Sequence, residues 1–314
     1  PGANANAVKE LVATGLLFGS LGVVEGINFV HTLAGEQDYV SLNKTLEANK
    51  KQFKGSELSG KTLGVVGLGA IGSMVAEMAL TLGMEVVGYD PALSVEAAWR
   101  LSSQVKRADT LSALFARCDY ISLHLPVLDS TRGLVNAELL GAIQDGTCLL
   151  NFARQEIVDE EALLGALDGG KLRRYIADFP SPALIGRDDV ILMPHIGAST
   201  DEAEDNCAVM AADQLRDFLE NGNIRNSVNF PTLQLERVTG CRLSVTNSNV
   251  PRILGSVLAI LADENINVID MLNKSRDEVA YNLIDISSHP DESILNQMRA
   301  LEGVINVRMI GDCT

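Results

Sequence analysis

The residues Gly64-Val65-Val66-Gly67-Leu68-Gly69-Ala70-Ile71-Gly72, answered downstream by Tyr89-Asp90, decide the fold. Gly67, Gly69 and Gly72 stand in the order G-x-G-x-x-G. The apolar run Leu63 to Val66 before them reads as a buried strand, and Met74 to Leu82 after them as a helix. A second apolar run, Glu85 to Tyr89, ends in Asp90, eighteen residues beyond Gly72. Strand, glycine turn, helix, strand and terminal acid stand where a dinucleotide site needs them. Gly67 permits the tight turn, Gly69 lets a pyrophosphate approach the backbone, and Gly72 lets the helix pack on the sheet. The helix start offers unpaired N–H groups and a positive dipole end to phosphates. Asp90 can accept from both ribose hydroxyls and its charge repels a 2′-phosphate, so the pattern reads as NAD rather than NADP. A purely structural glycine turn in an α/β protein is the competing reading.

Apolar runs end at Val66, Tyr89, Leu123, Asn151, Asp178 and Leu192-Met193, with helical patterns at Leu111 to Ala116, Asn136 to Ile143 and Asp159 to Leu167. Such alternation predicts an α/β fold with a doubly wound parallel sheet, ligands collecting beyond the carboxyl ends of its strands. One helix, roughly Ala5 to Thr32, precedes the sheet. A long helix follows it, with Ser199 expected as N-cap and Glu202 closing a capping box. Asn221 to Thr239 reads as a linker. From Gly240 the order β-α-β-β-α-β predicts a ferredoxin-like α+β module. The expected domains are therefore residues 1–198, a returning helix and linker at 199–239, and a small module at 240–314.

The 314 residues carry a net charge of −16, which argues against a nucleic-acid partner. No apolar run is long enough for a membrane span. Cys118, Cys148, Cys207, Cys241 and Cys313 lack metal-ligand spacing. They read as small apolar fillers in a reducing, cytoplasmic compartment, and no metal is expected.

Two residues stand out beyond the glycine loop. Arg154 follows the strand Thr147 to Asn151, and His195 follows Val190 to Met193. A 2-hydroxy acid being oxidised needs a fixed cation for its carboxylate, which the guanidinium fork suits. It also needs an acid–base group for its hydroxyl, which imidazole suits. Each residue is equally compatible with an ordinary role, a surface cation or a loop histidine. His31 and His289 read as structural. His124-Leu125-Pro126 ends a strand on the cofactor side.

With these stretches, Asn151-Phe152-Ala153-Arg154, Ile157-Val158-Asp159 and Pro194-His195-Ile196-Gly197-Ala198-Ser199-Thr200, the chain resembles the D-isomer-specific 2-hydroxyacid dehydrogenases, and among them the phosphoglycerate dehydrogenase branch. The resemblance runs from Asn4 onward. It implies a Rossmann domain followed by an ACT domain that senses L-serine. It further implies NAD-dependent oxidation of 3-phospho-D-glycerate to 3-phosphooxypyruvate, the first step of L-serine synthesis. Arg154 would anchor the substrate carboxylate and His195 exchange the proton. Gly67, Gly69, Ala70, Ile71, Gly72 and Asp90 would hold pyrophosphate and ribose. His124 and Pro126 would line the adenosine side, and Phe152, Ala153, Asp178 and Gly197 the nicotinamide half. Asn4 and Lys50 would contact substrate, although Lys44, Lys50, Lys51 and Lys54 read equally as a solvated face. Asn247, Asn249 and Asn267 would take the effector. A homodimer or homotetramer is implied. The alternatives are a hydroxypyruvate or glyoxylate type reductase, or a non-catalytic NAD-sensing interaction protein.

Three departures from the family pattern matter. The run Asp178-Phe179-Pro180-Ser181-Pro182 lacks the Glu that usually pairs with the catalytic His. Gln155 replaces a Gly after Arg154. Arg252 replaces a Gly after Pro251 in the effector loop, where close backbone approach needs one. Most of the family's N-terminal substrate segment is also missing from the sequence, so the expectation is a chain that binds NAD but turns substrate over poorly.

Overall fold

The computed structural model describes residues 2–238 and 241–311, with Glu96 by its backbone alone. Cys313, Pro1 and Gly240 lie outside the described residues. The chain divides into two compact units, residues 1–205 and 206–314. Among the described residues no single helix is long and apolar enough to cross a membrane.

The first unit opens with three helices, α1 (Ala5–Ser20), α2 (Val23–Thr32) and α3 (Tyr39–Asn49), then a 3-10 turn at Lys50–Phe53. The sheet region follows as β1 (Thr62–Val66), α4 (Ala70–Thr81), β2 (Glu85–Tyr89), α5 (Val95–Arg100), β3 (Lys106–Arg107), α6 (Leu111–Phe115) and β4 (Tyr120–Leu123). It continues with α7 (Ala137–Ala142), β5 (Thr147–Asn151), α8 (Glu160–Asp168), β6 (Leu172–Ala177) and β7 (Val190–Leu192). The strand order is β3-β2-β1-β4-β5-β6-β7, parallel throughout. The order reverses between β1 and β4, and the crevice beyond their carboxyl ends is where a doubly wound sheet takes its ligand. Apolar layers cover both faces. Leu123, Leu139 and Ile157 belong to one, and Val12, Leu16, Val75 and Ile176 to the other.

The single long helix expected at the start is broken. Leu21 is extended, Gly22 caps α2, and the two axes differ by 70°. A Cβ on Gly22 would lie 2.8 Å from the Phe53 carbonyl oxygen, so the break is where the chain passes closely under the 3-10 turn. The cap of the helix after the sheet also differs from expectation. In α9 (Asp201–Asn221), the Thr200 hydroxyl, not Ser199, accepts from the Ala203 N–H at 3.1 Å. Its first turn carries three acids, Asp201, Glu202 and Glu204, which complement the helix dipole.

The second unit adds β8 (Cys241–Ser248), α10 (Ile253–Asp263), β9 (Val268–Arg276), β10 (Val279–Ile286), α11 (Glu292–Arg299) and β11 (Val304–Ile310). Its antiparallel sheet has the order β11-β8-β10-β9. The β-α-β-β-α-β sequence is as expected. The helices cover one face through Val257, Leu261, Ile294 and Met298. The stretch expected as a linker covers the other: Ile224, Leu233 and Leu235 pack on Tyr281, Leu283 and Ile310. Beneath it, Arg242 and Asp285 form a fully buried pair, at 2.6 Å (Nε–Oδ1) and 2.8 Å (Nη2–Oδ2). The same guanidinium donates to the carbonyls of Asn221, Leu235 and Glu236. The segment is thus part of the module, because the guanidinium takes its remaining acceptors from it.

The cysteines are not uniformly apolar fillers. Cys118 and Cys148 are buried thiols and Cys207 is exposed, while Cys241 is disulfide-bonded.

Candidate active site

The strand-end loops of the first unit build the site. The turn after β1 has the geometry its glycines imply. Gly67 has φ +90°, and a Cβ there would sit 2.5 Å from the His124 carbonyl oxygen. A Cβ on Gly72 would overlap the Gly67 carbonyl oxygen, whereas one on Gly69 would meet nothing within 4 Å. The first and third glycines are therefore required by the fold itself, and the second leaves open space above the backbone, ready for a group as bulky as a phosphate. Asp90, at the end of β2, is fixed by backbone donors: Oδ2 accepts from the Leu68 N–H and Oδ1 from the Ala92 N–H, both at 2.9 Å. It borders a cavity of about 810 Å³ that also reaches Leu68, Trp99 and Arg107. That volume suits the adenosine end of a dinucleotide.

After β4, the His124 ring bonds the Ser122 hydroxyl through Nε2 at 2.9 Å, and its Nδ1 is buried without a partner. Burial pushes this imidazole down to about 3, so it is neutral at physiological pH. After β5, the Asn151 side chain holds the turn by accepting from the Ala153 N–H and donating to the Arg154 carbonyl. Phe152 is buried against α1, where a Cβ on Gly15 would come within 3.0 Å of its ring. The Arg154 guanidinium bonds its neighbour's carbonyl, Ala153 O, at 2.6 Å. It forms no ion pair among the described residues.

At the end of β6, Asp178 is 2% exposed. Its Oδ2 accepts from the Gly197 N–H at 3.2 Å, and its Oδ1 is buried with no partner. Burial raises its carboxyl above the usual carboxylate range. The Gly197 bond and the nearby charges of His195 and Arg154 act the other way. The next residue, Phe179, packs its ring 4.8 Å from that of His195, tilted by 44°. His195 itself has φ +52°, a left-handed conformation uncommon outside glycine. Two consecutive residues at the end of β6 thus hold two residues of the loop after β7. The sequence showed that a Glu was missing here, but not that an aromatic ring meets the histidine.

The structure brings Arg154, Asp178, His195 and Gly197 together, and the start of α1 joins them. A Cβ on Gly197 would meet Leu11 and Val8 at 3.6–3.7 Å, and Gly2 lies against Ala70. Asn4, first residue of that helix's cap, is therefore on this side of the sheet. Lys50 is not. It pairs with Glu47 in the segment that packs under α2, toward the ends where the strands begin. In the second unit, Asn247 is buried and linked through Asn282 to Asn273. Asn249 donates to the Asp277 carbonyl. Asn267 sits beside Ser287, at the opposite end of β10, roughly 23 Å along the strand from Asn247. The three expected effector residues are not brought together within one chain. Arg252 has φ +80° at the start of α10, the conformation a glycine would take without strain.

Residues 25–197 match the family model described as "D-isomer specific 2-hydroxyacid dehydrogenase, NAD binding domain". The chain is 34% identical to D-3-phosphoglycerate dehydrogenase of Haemophilus influenzae over 274 residues, 83% of this chain and 66% of that one. To the Escherichia coli enzyme of the same name it is 31% identical over 324 residues, 99% of this chain and 74% of that one. Among solved structures it is similar to NAD⁺-bound 3-phosphoglycerate dehydrogenase of Entamoeba histolytica, with 31% identity and a TM-score of 0.56 over 74% of this chain and 67% of that one. It is also similar to Aquifex aeolicus D-lactate dehydrogenase complexed with NAD and lactic acid, with 26% identity and a TM-score of 0.57 over 69% of this chain and 67% of that one. The chain thus spans about two thirds to three quarters of the length of these relatives.

Proposed function

The chain belongs to the D-isomer-specific 2-hydroxyacid dehydrogenases, whose NAD-binding domain it carries, and from that premise we propose that it oxidises 3-phospho-D-glycerate at the 2-hydroxyl. The observation that carries the reading is the meeting of Arg154, Asp178 and His195 at adjacent strand ends. Arg154, unpaired by any acid among the described residues, binds the substrate carboxylate through its planar fork. His195 accepts the proton leaving the hydroxyl, and returns it in the reverse direction.

The residues of the first unit fit NAD. Gly69 leaves space for the pyrophosphate, the start of α4 with Ala70 and Ile71 offers it N–H groups, and Asp90 faces the ribose. His124 and Pro126 line the adenosine side. Phe152 and Ala153 flank the nicotinamide half. The partnerless Oδ1 of Asp178 is an acceptor awaiting a donor, which suits the nicotinamide carboxamide. When bound, NAD supplies the acceptor for the hydride.

In the same reading the second unit is an ACT module that responds to L-serine, which would make this a feedback-controlled step of serine synthesis. Ile27, Val30, Tyr39 and Val40 of α2 and α3 are exposed and would supply the contact of a cytoplasmic homo-oligomer. One observation favours a second reading, a D-2-hydroxy acid without phosphate: Lys50 is not on the Arg154 side of the sheet. Steady-state rates of NAD reduction on 3-phospho-D-glycerate, D-lactate, D-glycerate and glycolate separate the two. The first reading expects kcat/KM to be highest for the phosphorylated acid. Preference for D-lactate by tenfold or more would establish the second.

A further inference from the structure

At the end of the sheet away from Arg154 and His195 lies a recess of about 140 Å³, against roughly 30 Å³ for one water. It opens where β6 begins, about 13 Å along the strand from Asp178. Pairing is irregular at this point. Thr147 opposes Leu172 and Cys148 opposes Arg174, so Arg173 is an extra residue in the strand. A bulge of this kind re-aims a side chain that regular alternation would send to the other face. As a result Arg173 and Arg174, consecutive in sequence, line one recess, and Lys54 joins them from the segment after the 3-10 turn.

Three cations therefore meet one acid. Glu25, in the first turn of α2, bonds Arg174 Nη2 through Oε1 at 2.6 Å, and its Oε2 is buried with no hydrogen-bond partner. Arg174 Nε and Nη1 are buried with no hydrogen-bond partner. Arg173 uses Nη2 on the Tyr120 hydroxyl and Nε on the Gly146 carbonyl. The recess also receives the start of the ten-residue helix α2, whose cap, Gly22, offers no side-chain acceptor to the first N–H groups. Buried donors without acceptors, an uncapped helix start and an excess of positive charge are the three ingredients of an anion site. They gather here in a chain whose net charge is −16.

We propose that this recess binds a small tetrahedral oxyanion of the phosphate or sulfate class, gripped by Lys54, Arg173 and Arg174 at the start of α2. Glu25 holds Arg174 in place and competes with the anion for it.

The test is thermal unfolding of the whole chain in inorganic phosphate against sodium chloride of equal ionic strength, with sulfate as a second arm. Concentrations stay in the low millimolar range, where general salting effects are small. Phosphate is expected to raise the unfolding midpoint above the chloride value in a saturable way. The exposed Lys54→Met should weaken phosphate about fivefold, and Arg174→Met about tenfold. Glu25→Gln should strengthen it, because the competing charge is gone. Equal midpoints in phosphate and chloride would overturn the proposal. So would a phosphate effect that Lys54→Met and Arg174→Met both leave intact, since that anion would be held elsewhere, at the glycine loop for instance. A phosphate effect lost in Glu25→Gln would also count against it, marking the group as an ion pair and not a site.

Discussion

Asp178 accepts the Gly197 N–H at 3.2 Å through one carboxylate oxygen and keeps the other buried without a partner. A buried acceptor left open in this way lowers stability unless a ligand completes it. The carboxyl is also raised above its ordinary range, first by burial. A raised carboxylate costs stability above its unfolded pKa of about 3.9 and costs nothing when both states are protonated. Asp178→Asn should therefore raise the unfolding midpoint at pH 7–8 and leave it unchanged near pH 3. NAD affinity should fall in the same variant, by tenfold or more as judged by calorimetry.

The glycines of the β1 turn should separate folding from binding. Gly69→Ala meets open space, so the midpoint should move by less than about 0.5 kcal/mol in stability while NAD binding weakens sharply. Gly72→Ala would drive its methyl into the Gly67 carbonyl, and overpacking of that kind costs about 1–3 kcal/mol or more. Urea unfolding of the two variants, read beside NAD titration, checks both.

Acid should weaken the fold through His124. Its folded pKa is pushed down to about 3 by burial, against about 6.5 unfolded. The unfolded chain then binds the extra proton first, so stability declines as pH falls from about 6.5 toward 3. His124→Asn should flatten that part of the stability–pH curve, measured by urea midpoints between pH 7 and pH 4.

In the second unit, Arg242→Met leaves Asp285 charged and buried, which should cost about 3–5 kcal/mol. For the same reason residues 240–314 alone should fold poorly, because they lack the carbonyls of Asn221, Leu235 and Glu236 and the apolar cover of Ile224 and Leu233. Residues 206–314 should unfold cooperatively. By contrast, Arg252→Gly should stabilise by about 0.5–1 kcal/mol, since φ +80° is strained for arginine. If the module senses serine as proposed, that variant should also show the larger heat on serine titration.

The parallel sheet was legible because its strands are continuous apolar runs ending in turn residues, and the glycine loop because each glycine answers a local steric need. The order of elements in the small module was legible for the same reason. What could not be read was set by long-range contacts. The break at Gly22 depends on Phe53, thirty-one residues away. The supposed linker is apolar at only a few positions, and its role shows only once Arg242 and Tyr281 are beneath it. Arg154 and His195 could be suspected from their places after strands. That Phe179 would pack on His195, and that Lys50 would lie away from both, are consequences of packing that no local pattern encodes.

In the proposed reaction His195 moves the hydroxyl proton while Arg154 holds the carboxylate. Steady-state NAD reduction by the protein with His195→Ala, alongside calorimetric NAD binding, is the measurement that decides. A fall in kcat of about 10²–10⁴-fold is expected, with NAD affinity within twofold of the parent. Unchanged turnover in His195→Ala would contradict it.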